Sequence, residues 1–529
     1  MPNSTQPARR YLTGNSGAMA TAGGYRGGRQ SRELLSWTPA LRSADAELLP
    51  SHELLTARAH DTTRNFALVS GGIQAQLDNI IGSGLRLSAK PDWRALGLSP
   101  EWASEWSRDT ESKFRQWAED MDAHCDAARR LPLPAMIGMA TRSLLITGDI
   151  TASAEWLPGR GSRYATAIQM IDPARLSNPG DAQDSDRLRG GIELDRYGAP
   201  VAYHIRQALR SDAIYMGANP YTWQRVARET AWGRQQFIHV FEPHRPGQTR
   251  GATGLAAVLA KSKVLERFQD VSLEAAVVNA MYAAVIESEF DHAQVAEALG
   301  SETERSKVAD SLLSAMADYH SADTVRFDGA KIPHLYPGEK FRMVTSEHPG
   351  PNFAEFEKSV IRHLAAGMGV SYEQLARDYS DTNYSGARAG MLEAFKFFTT
   401  KRRLVGQQFC RQVYALWLEE AIDKGDVELP PGAPDFYQAK SAWCASQWIG
   451  PAKGHIDPLK ESSADALEMD RGLKTLEDAC AERGVDWEAN LEQIAREKRR
   501  MRELGIEPSD LNVTIGATSD APTDAPERA

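Results

Sequence analysis

The sequence predicts an α+β protein in which a strand-rich body is joined to long helices. Three observations carry this. Between about residues 150 and 250, apolar residues recur at strand spacing between Gly, Pro, Asn and Asp turns. On either side the period is helical, and two stretches, about 256–290 and 387–423, keep it far beyond the usual three turns. The chain's 529 residues also exceed what one core holds, so two or more packed regions are expected.

Residues 1–32 contain five arginines (Arg9, Arg10, Arg26, Arg29, Arg32), no acid and no apolar period. This composition reads as a disordered basic arm. It could touch DNA or an acidic scaffold, be trimmed by a protease, or be a solvated tail. A signal peptide is not expected, because Arg9-Arg10 leads into a Gly- and Thr-rich stretch without an apolar core. Order is expected from Glu33. Residues 62–82 space Phe66, Val69, Ile73, Leu77 and Ile80 as a helix stopped by Gly82 and Gly84. Leu85–Ser88 is a short strand candidate. Residues 100–125 form a Trp-rich amphipathic pattern, and Leu133–Thr147 a more apolar helix.

The segments ITASAEWL, YATAIQMI, GGIELDRYGAPVAYHI and QFIHVFEP supply the strands of the body. The helix expected at 256–290 would be about 50 Å long and needs neighbours to bury its apolar stripes. Residues 291–320 are expected to hold another helix, and TVRFDGAKIPHLYPGEKFRMV two or three short strands. Phe353–Met368 is helical. A polar stretch, Asp378-Tyr379-Ser380-Asp381-Thr382-Asn383-Tyr384-Ser385-Gly386, separates it from the helix at 387–423. Pro430-Pro431-Gly432 breaks the chain, Trp443 and Trp448 mark an apolar patch, and helices follow at 460–482 and 486–504. Residues 507–529 read as disordered.

Chemistry is mostly excluded. The four cysteines lie far apart without a CxxC pair and read as buried, reduced thiols. No GxxxxGK[ST], HExxH or G-x-S-x-G pattern occurs. His52 and His60, eight apart, make a poor metal pair, and His239 reads as structural. Glu419-Glu420 are expected on an exposed helix face, and Lys401-Arg402-Arg403 on a solvated or intersubunit face or against phosphate. Neither a cofactor nor a metal is expected. A net charge of −10 argues against tight wrapping of nucleic acid but not against surrounding it. No run of about 18 uncharged apolar residues suggests a membrane span.

Several stretches, in order, resemble the portal proteins of tailed bacteriophages, lambda type. They are FIHVFEPHRPGQTRG, AAVVNAMYAAVIESE, GAKIPHLYPGEKF, HLAAGMGVSYEQLARDYSDTNYSGARA, LWLEEAI and WIGP with the downstream DPLKE. The similarity runs from about residue 30 to 505. It implies the portal fold, with a β-rich wing, long stem helices, a small α/β clip and a helical crown, in a ring typically of twelve subunits at one capsid vertex. Carried over, 33–255 is the first part of the wing, 256–290 a stem helix, 291–350 the clip and 351–372 the returning stem helix. Residues 373–386 would be the tunnel loop facing DNA, 387–430 a long wing helix and 431–506 the wing return and crown.

The resemblance implies double-stranded DNA passing through, the terminase large subunit docking, and contacts with head-completion, major capsid and scaffold proteins. It also implies that the protein initiates procapsid assembly, serves packaging and ejection, is not an enzyme, and works in the virion and, during assembly, in the host cytoplasm. The candidate DNA-channel residues are Arg377, Tyr379, Ser380, Thr382, Asn383, Tyr384, Ser385 and Arg388. Hydroxyls offer weaker, more exchangeable contacts than lysine or arginine, which suits a conduit that must not hold a polyanion. Two other readings stay open: a minor capsid or scaffold-interacting protein without a channel, and a DNA-processing enzyme.

Overall fold

The structure, a computed structural model, describes residues 32, 34–281, 353–380, 383–452 and 458–506, short strands within 285–342, and residues 311 and 314. The expectations for the basic arm, for the helix within 291–320 and for 507–529 lie outside the described residues, apart from Arg32, Ser311 and Ser314. Four long helices open the described chain: α1 (Ala44–Asn65), α2 (Ala67–Ile80), α3 (Pro100–Ala118) and α4 (Leu133–Thr147), with strand β1 (Arg86–Ala89) and a single helical turn, Trp93–Leu96, between the second and third. The body strands follow as β2 (Asp149–Trp156), β3 (Thr166–Ile171), β4 (Leu188–Arg189), β5 (Ile192–Leu194), β6 (Pro200–Arg206), β7 (Trp223–Ala227) and β8 (Phe237–Phe241). They form two antiparallel sheets, one ordered β3-β2-β8 and one β4-β5-β6-β7. In the first, Thr151 of β2 lies opposite Ile171 on one side and His239 on the other.

A seven-residue helix, α5 (Arg210–Met216), bridges β6 and β7. Helix α6 (Leu259–Met281) leaves the body. The strands beyond it pair as two hairpin-like couples, β9 (Val285–Ser288) with β12 (Glu339–Arg342), and β10 (Thr324–Phe327) with β11 (Ala330–Pro333). The chain returns through α7 (Phe353–Met368) and α8 (Tyr372–Ala376) to α9 (Tyr384–Leu404). That helix runs through a π-helical turn, Val405–Cys410, into α10 (Arg411–Asp423). Strand β13 (Ser446–Ile449) pairs with β1, and α11 (Pro458–Asp470), α12 (Leu476–Glu482) and α13 (Trp487–Glu503) close the chain.

One core joins α1–α4, the three-stranded sheet and α9–α10. Its densest part is aromatic: Phe114 of α3 meets Tyr414 and Trp417 of α10 edge-on at 5.5 and 5.2 Å, and Trp106 lies 5.8 Å from Trp443. Such edge contacts add to the area that these rings bury. The Trp443 patch therefore belongs to the main core. All four cysteines are free and buried. Among the described residues no helix is long and apolar enough to cross a membrane.

Several boundaries differ from expectation. The helix expected at 62–82 is broken at Phe66, which adopts an extended backbone (φ −105°, ψ 111°) and buries its ring. Helix α1 was not expected, because its buried face is made of Ala59, Thr56, Thr62 and Thr63 and carries no aliphatic stripe. The helix expected to 290 stops at Met281, and Val285–Ser288 is a strand. Its partner lies some fifty residues away, so local periodicity cannot register it. The stretch 460–482 divides at Gly472, whose φ of +69° ends α11, and Thr475 then caps α12.

Candidate DNA-facing loop and its anchor

The polar stretch is shorter than the sequence suggests. Glu373–Ala376 complete α8, which Ser371 opens by accepting from the Gln374 N–H while the Gln374 side chain accepts from the Ser371 N–H. Tyr384 and Ser385 already lie in the first turn of α9. Among the described residues of the stretch, 377–380 and 383 lie outside the helices. Arg377 ends α8 in the left-handed region (φ +53°), a conformation that costs a non-glycine residue about 1 kcal/mol. Asp378 then organises the turn: its carboxylate accepts from the Ser380 N–H at 3.1 Å and the Ser380 hydroxyl at 2.6 Å, and from Tyr372 Oη at 3.4 Å. The Ser380 bonds hold the Asp378 carboxyl below its ordinary pKa.

Of the eight candidate residues, the structure gathers Arg377, Tyr379 and Ser380 on one exposed turn, with Tyr379 56% exposed. Ser380 and Asn383 are already engaged. Asn383 caps α9 by accepting from the Gly386 N–H at 2.7 Å. Ser385 is exposed on α9, and Arg388 reaches Glu461 at 3.9 Å. Thr382 and the Tyr384 side chain lie outside the described residues.

Two basic residues escaped the sequence reading. Lys358 and Arg362, four apart on α7, stand over the Tyr372 ring at 5.5 Å each. With Tyr372, Asp378 and Asn383 they line a cavity of about 260 Å³ at the loop's root. The i, i+4 spacing of two cations before the loop was the available signal. The root of the loop thus sets Lys358 and Arg362 against Glu373 and Asp378, while Tyr379 stands exposed beyond it.

The anchor lies in the body. Asp149, fully buried at the start of β2, accepts from His239 Nε2 at 3.0 Å, the Gly251 N–H at 2.7 Å and Arg250 Nε at 2.8 Å. Arg250, also buried, donates from its two terminal nitrogens to the carbonyls of Leu176, Gly190 and Pro173 at 2.8–3.0 Å. His52 of α1 donates from Nε2 to the Gly251 carbonyl at 3.1 Å. Burial opposes the charge on Asp149, but Arg250 and the histidines outweigh it and hold its carboxyl far below the usual range. Burial, with Arg250 beside it, pushes His52 down to about 4. Closed on itself, this cluster ties α1 and both sheets to the segment that launches α6. His239 is structural as expected, and His52 serves the same cluster beside it, while His60 is exposed.

Two other sequence expectations are corrected. Glu420 is buried, not exposed, accepting from the Ala165 and Thr166 N–H groups at 2.6 and 2.8 Å. It thereby satisfies two donors where β3 begins. Arg402 does not face solvent: it donates to the carbonyls of Asn79, Ile80 and Pro451 at 2.8–3.1 Å and so caps the C-terminal end of α2. Lys401 pairs with Glu242. In both cases the partners are distant backbone groups, which residue type and period do not show.

A family model described as "Phage portal protein, lambda family" matches residues 30–402. The portal protein of Escherichia phage N15 is 37% identical over 490 residues, 92% of each chain. Portal protein B of Escherichia phage lambda is also 37% identical over 490 residues, covering 92% of this chain and 91% of that protein. The probable portal protein of Halomonas phage phiHAP-1 is 24% identical over 483 residues, 90% of this chain and 86% of its own. Among solved structures, the neck of an empty gene transfer agent particle, computed with C6 symmetry, gives a TM-score of 0.43 at 14% identity. That likeness covers 82% of this chain and 93% of the other.

Proposed function

The chain belongs to the lambda family of phage portal proteins, structural components of the phage head, and on that footing we propose that it forms a ring, of about twelve copies in its family, that conducts DNA at one capsid vertex. In this reading the sheets and α1–α4 are the wing, α6 and α7 the stem, the strands within 285–342 part of the clip, and α11–α13 the crown. The clip takes the packaging motor first and the head-completion proteins later, and the ring serves packaging and ejection and nucleates procapsid assembly with capsid and scaffold proteins. The turn 377–383 faces the DNA.

One observation carries the ring. Helix α6 uses an inner face, Leu265, Phe268 and Gln269, to meet α7: Phe268 stacks on Phe353 at 5.3 Å, and Gln269 bonds Glu357. On either side of that face apolar side chains are left uncovered. Val264 and Val271 are 70% and 54% exposed, and Leu273 and Val277 are 67% and 51% exposed. At about 100° per residue the two pairs lie roughly 150° apart around the axis. A ring needs two different contact surfaces on each subunit, because its interfaces are head-to-tail. Two apolar flanks on one helix meet that need, whereas a two-fold dimer needs only one.

Negative-stain microscopy and native mass spectrometry test this. Wild-type protein is expected as one ring species, and Val264→Asp or Leu273→Asp as folded monomers. Monomers alone from the wild type, across a range of salt, would refute the ring. The loop is tested separately: deleting 378–382 should leave rings intact and lower packaging or retention of DNA. Unchanged packaging would remove the loop's role and leave the ring standing.

A further inference from the structure

A cleft of about 620 Å³ opens between β2, the turn after β7 and the loop that follows α10. It concentrates exposed aromatic surface: Trp156 is 53% exposed, Trp232 63% and Tyr437 40%. Its floor is settled chemistry. Arg234 stands 5.2 Å over the Trp156 ring and 3.2 Å from Glu419, and the Tyr437 hydroxyl donates to Glu419. Its rim is acidic and unsettled. Asp423 and Asp435 are both exposed, and among the described residues no lysine or arginine pairs with either. Tryptophan faces in a cleft with carboxylates that lack a cationic partner, although Asp435 accepts from the Tyr437 N–H at 2.9 Å, match a guanidinium, which stacks on the ring while it bonds the carboxylate.

We propose that the cleft holds Arg9-Arg10-Tyr11-Leu12 of the protein's own N-terminal arm. Charge selects this segment. Residues 1–32 carry five arginines and no acid, whereas the other terminal stretch, 507–529, carries five acids (Glu507, Asp510, Asp520, Asp524, Glu527) against Arg528 alone. The acidic rim attracts the first and repels the second. Within the arm only Arg9–Leu12 sets two cations beside an aromatic and an aliphatic residue, which suits a cleft with an acidic lip and aromatic walls. Length allows it as well. The residues between Leu12 and Leu34 can span up to about 70 Å. This inference stands apart from the channel, since a monomer can seat its arm as a ring subunit does.

The full-length protein carrying a benzoylphenylalanine photocrosslinker in place of Tyr11 tests it, with crosslinks mapped by peptide mass spectrometry. Crosslinks are expected on 154–156, 230–236 or 419–437. The charge reversal Asp423→Lys with Asp435→Lys should lower their yield at least fivefold. Adding Arg9→Glu and Arg10→Glu to that variant should restore the yield to within twofold. Crosslinks elsewhere, no crosslinks, a yield unmoved by the reversal, or no restoration would each overturn the assignment. Circular dichroism of the same variants checks that they are folded.

Discussion

The two polar centres of this protein, Asp149 with its partners and the turn at 377–380, use the same residue chemistry to opposite ends. Around Asp149 the charged groups are buried and the partners come from three distant parts of the chain, α1, β8 and the segment before α6. Around Asp378 the partners are Ser380 and Tyr372, within six residues, and solvent reaches the rest. Long-range partners make a centre that the fold cannot lose. Short-range partners make one that can be exchanged without disturbing anything beyond it. A loop meant to touch a moving ligand needs the second kind.

The largest effects are therefore expected at the first centre. A Cβ on Gly251 would lie 2.0 Å from the Gly148 carbonyl oxygen and 2.9 Å from Asp149 Oδ1. Gly251→Ala is expected to abolish folding, read as insoluble protein or loss of the thermal transition. Asp149→Asn leaves the Arg250 charge buried without its partner and should cost about 3–5 kcal/mol, read from denaturant midpoints. If either variant folds normally, the two centres do not differ as described.

A smaller effect comes through His52. Its pKa is about 4 when folded and about 6.5 when unfolded, so below 6.5 the unfolded chain takes up the proton first. Its contribution is complete above about pH 6.5 and falls away as pH drops towards 4, with a total of about 3 kcal/mol. Urea midpoints measured from pH 8 to 4 should show this slope, and His52→Gln should flatten it. Glu111 works in the other direction. Burial is the largest influence on its carboxyl, raising it to about 7 although Oε1 accepts from the Ala89 N–H at 2.6 Å. Its contribution is complete below pH 4.5 and is lost as pH rises through 7. Glu111→Gln should therefore add about 3 kcal/mol at pH 8 and nothing at pH 4.

The smallest effect is expected at the loop. Arg377→Gly relieves a left-handed backbone and should change stability by less than about 1 kcal/mol, in the stabilising direction. A large loss there would mean that the turn is built into the fold, contrary to the comparison.

The sequence made the fold class and most elements legible because they follow local rules. Leu133–Thr147 has the expected bounds, and β2, β3, β5, β6 and β8 match the four expected segments to within a residue, whereas β4 (Leu188–Arg189) and β7 (Trp223–Ala227) lie outside them. What it concealed depends on distant partners. Val285–Ser288 shows its strand character only against Glu339–Arg342, and Arg402 and Glu420 their roles only against backbone groups far along the chain. At the loop, the sequence concealed where the polar stretch gives way to helix. A capping serine and a capping asparagine look like any polar turn residue until the helices that they open are seen. Lys358 and Arg362 went unnoticed because a basic pair on a helix is common and only Tyr372 gives it a place.

Cysteine crosslinking across α6 tests the head-to-tail ring most directly, since the native cysteines are all buried. Val264→Cys alone and Leu273→Cys alone should give little crosslinked product. The double variant should give a ladder that ends at the ring's full copy number. Strong dimers from either single variant, with no ladder from the double, would show a two-fold contact and contradict the ring.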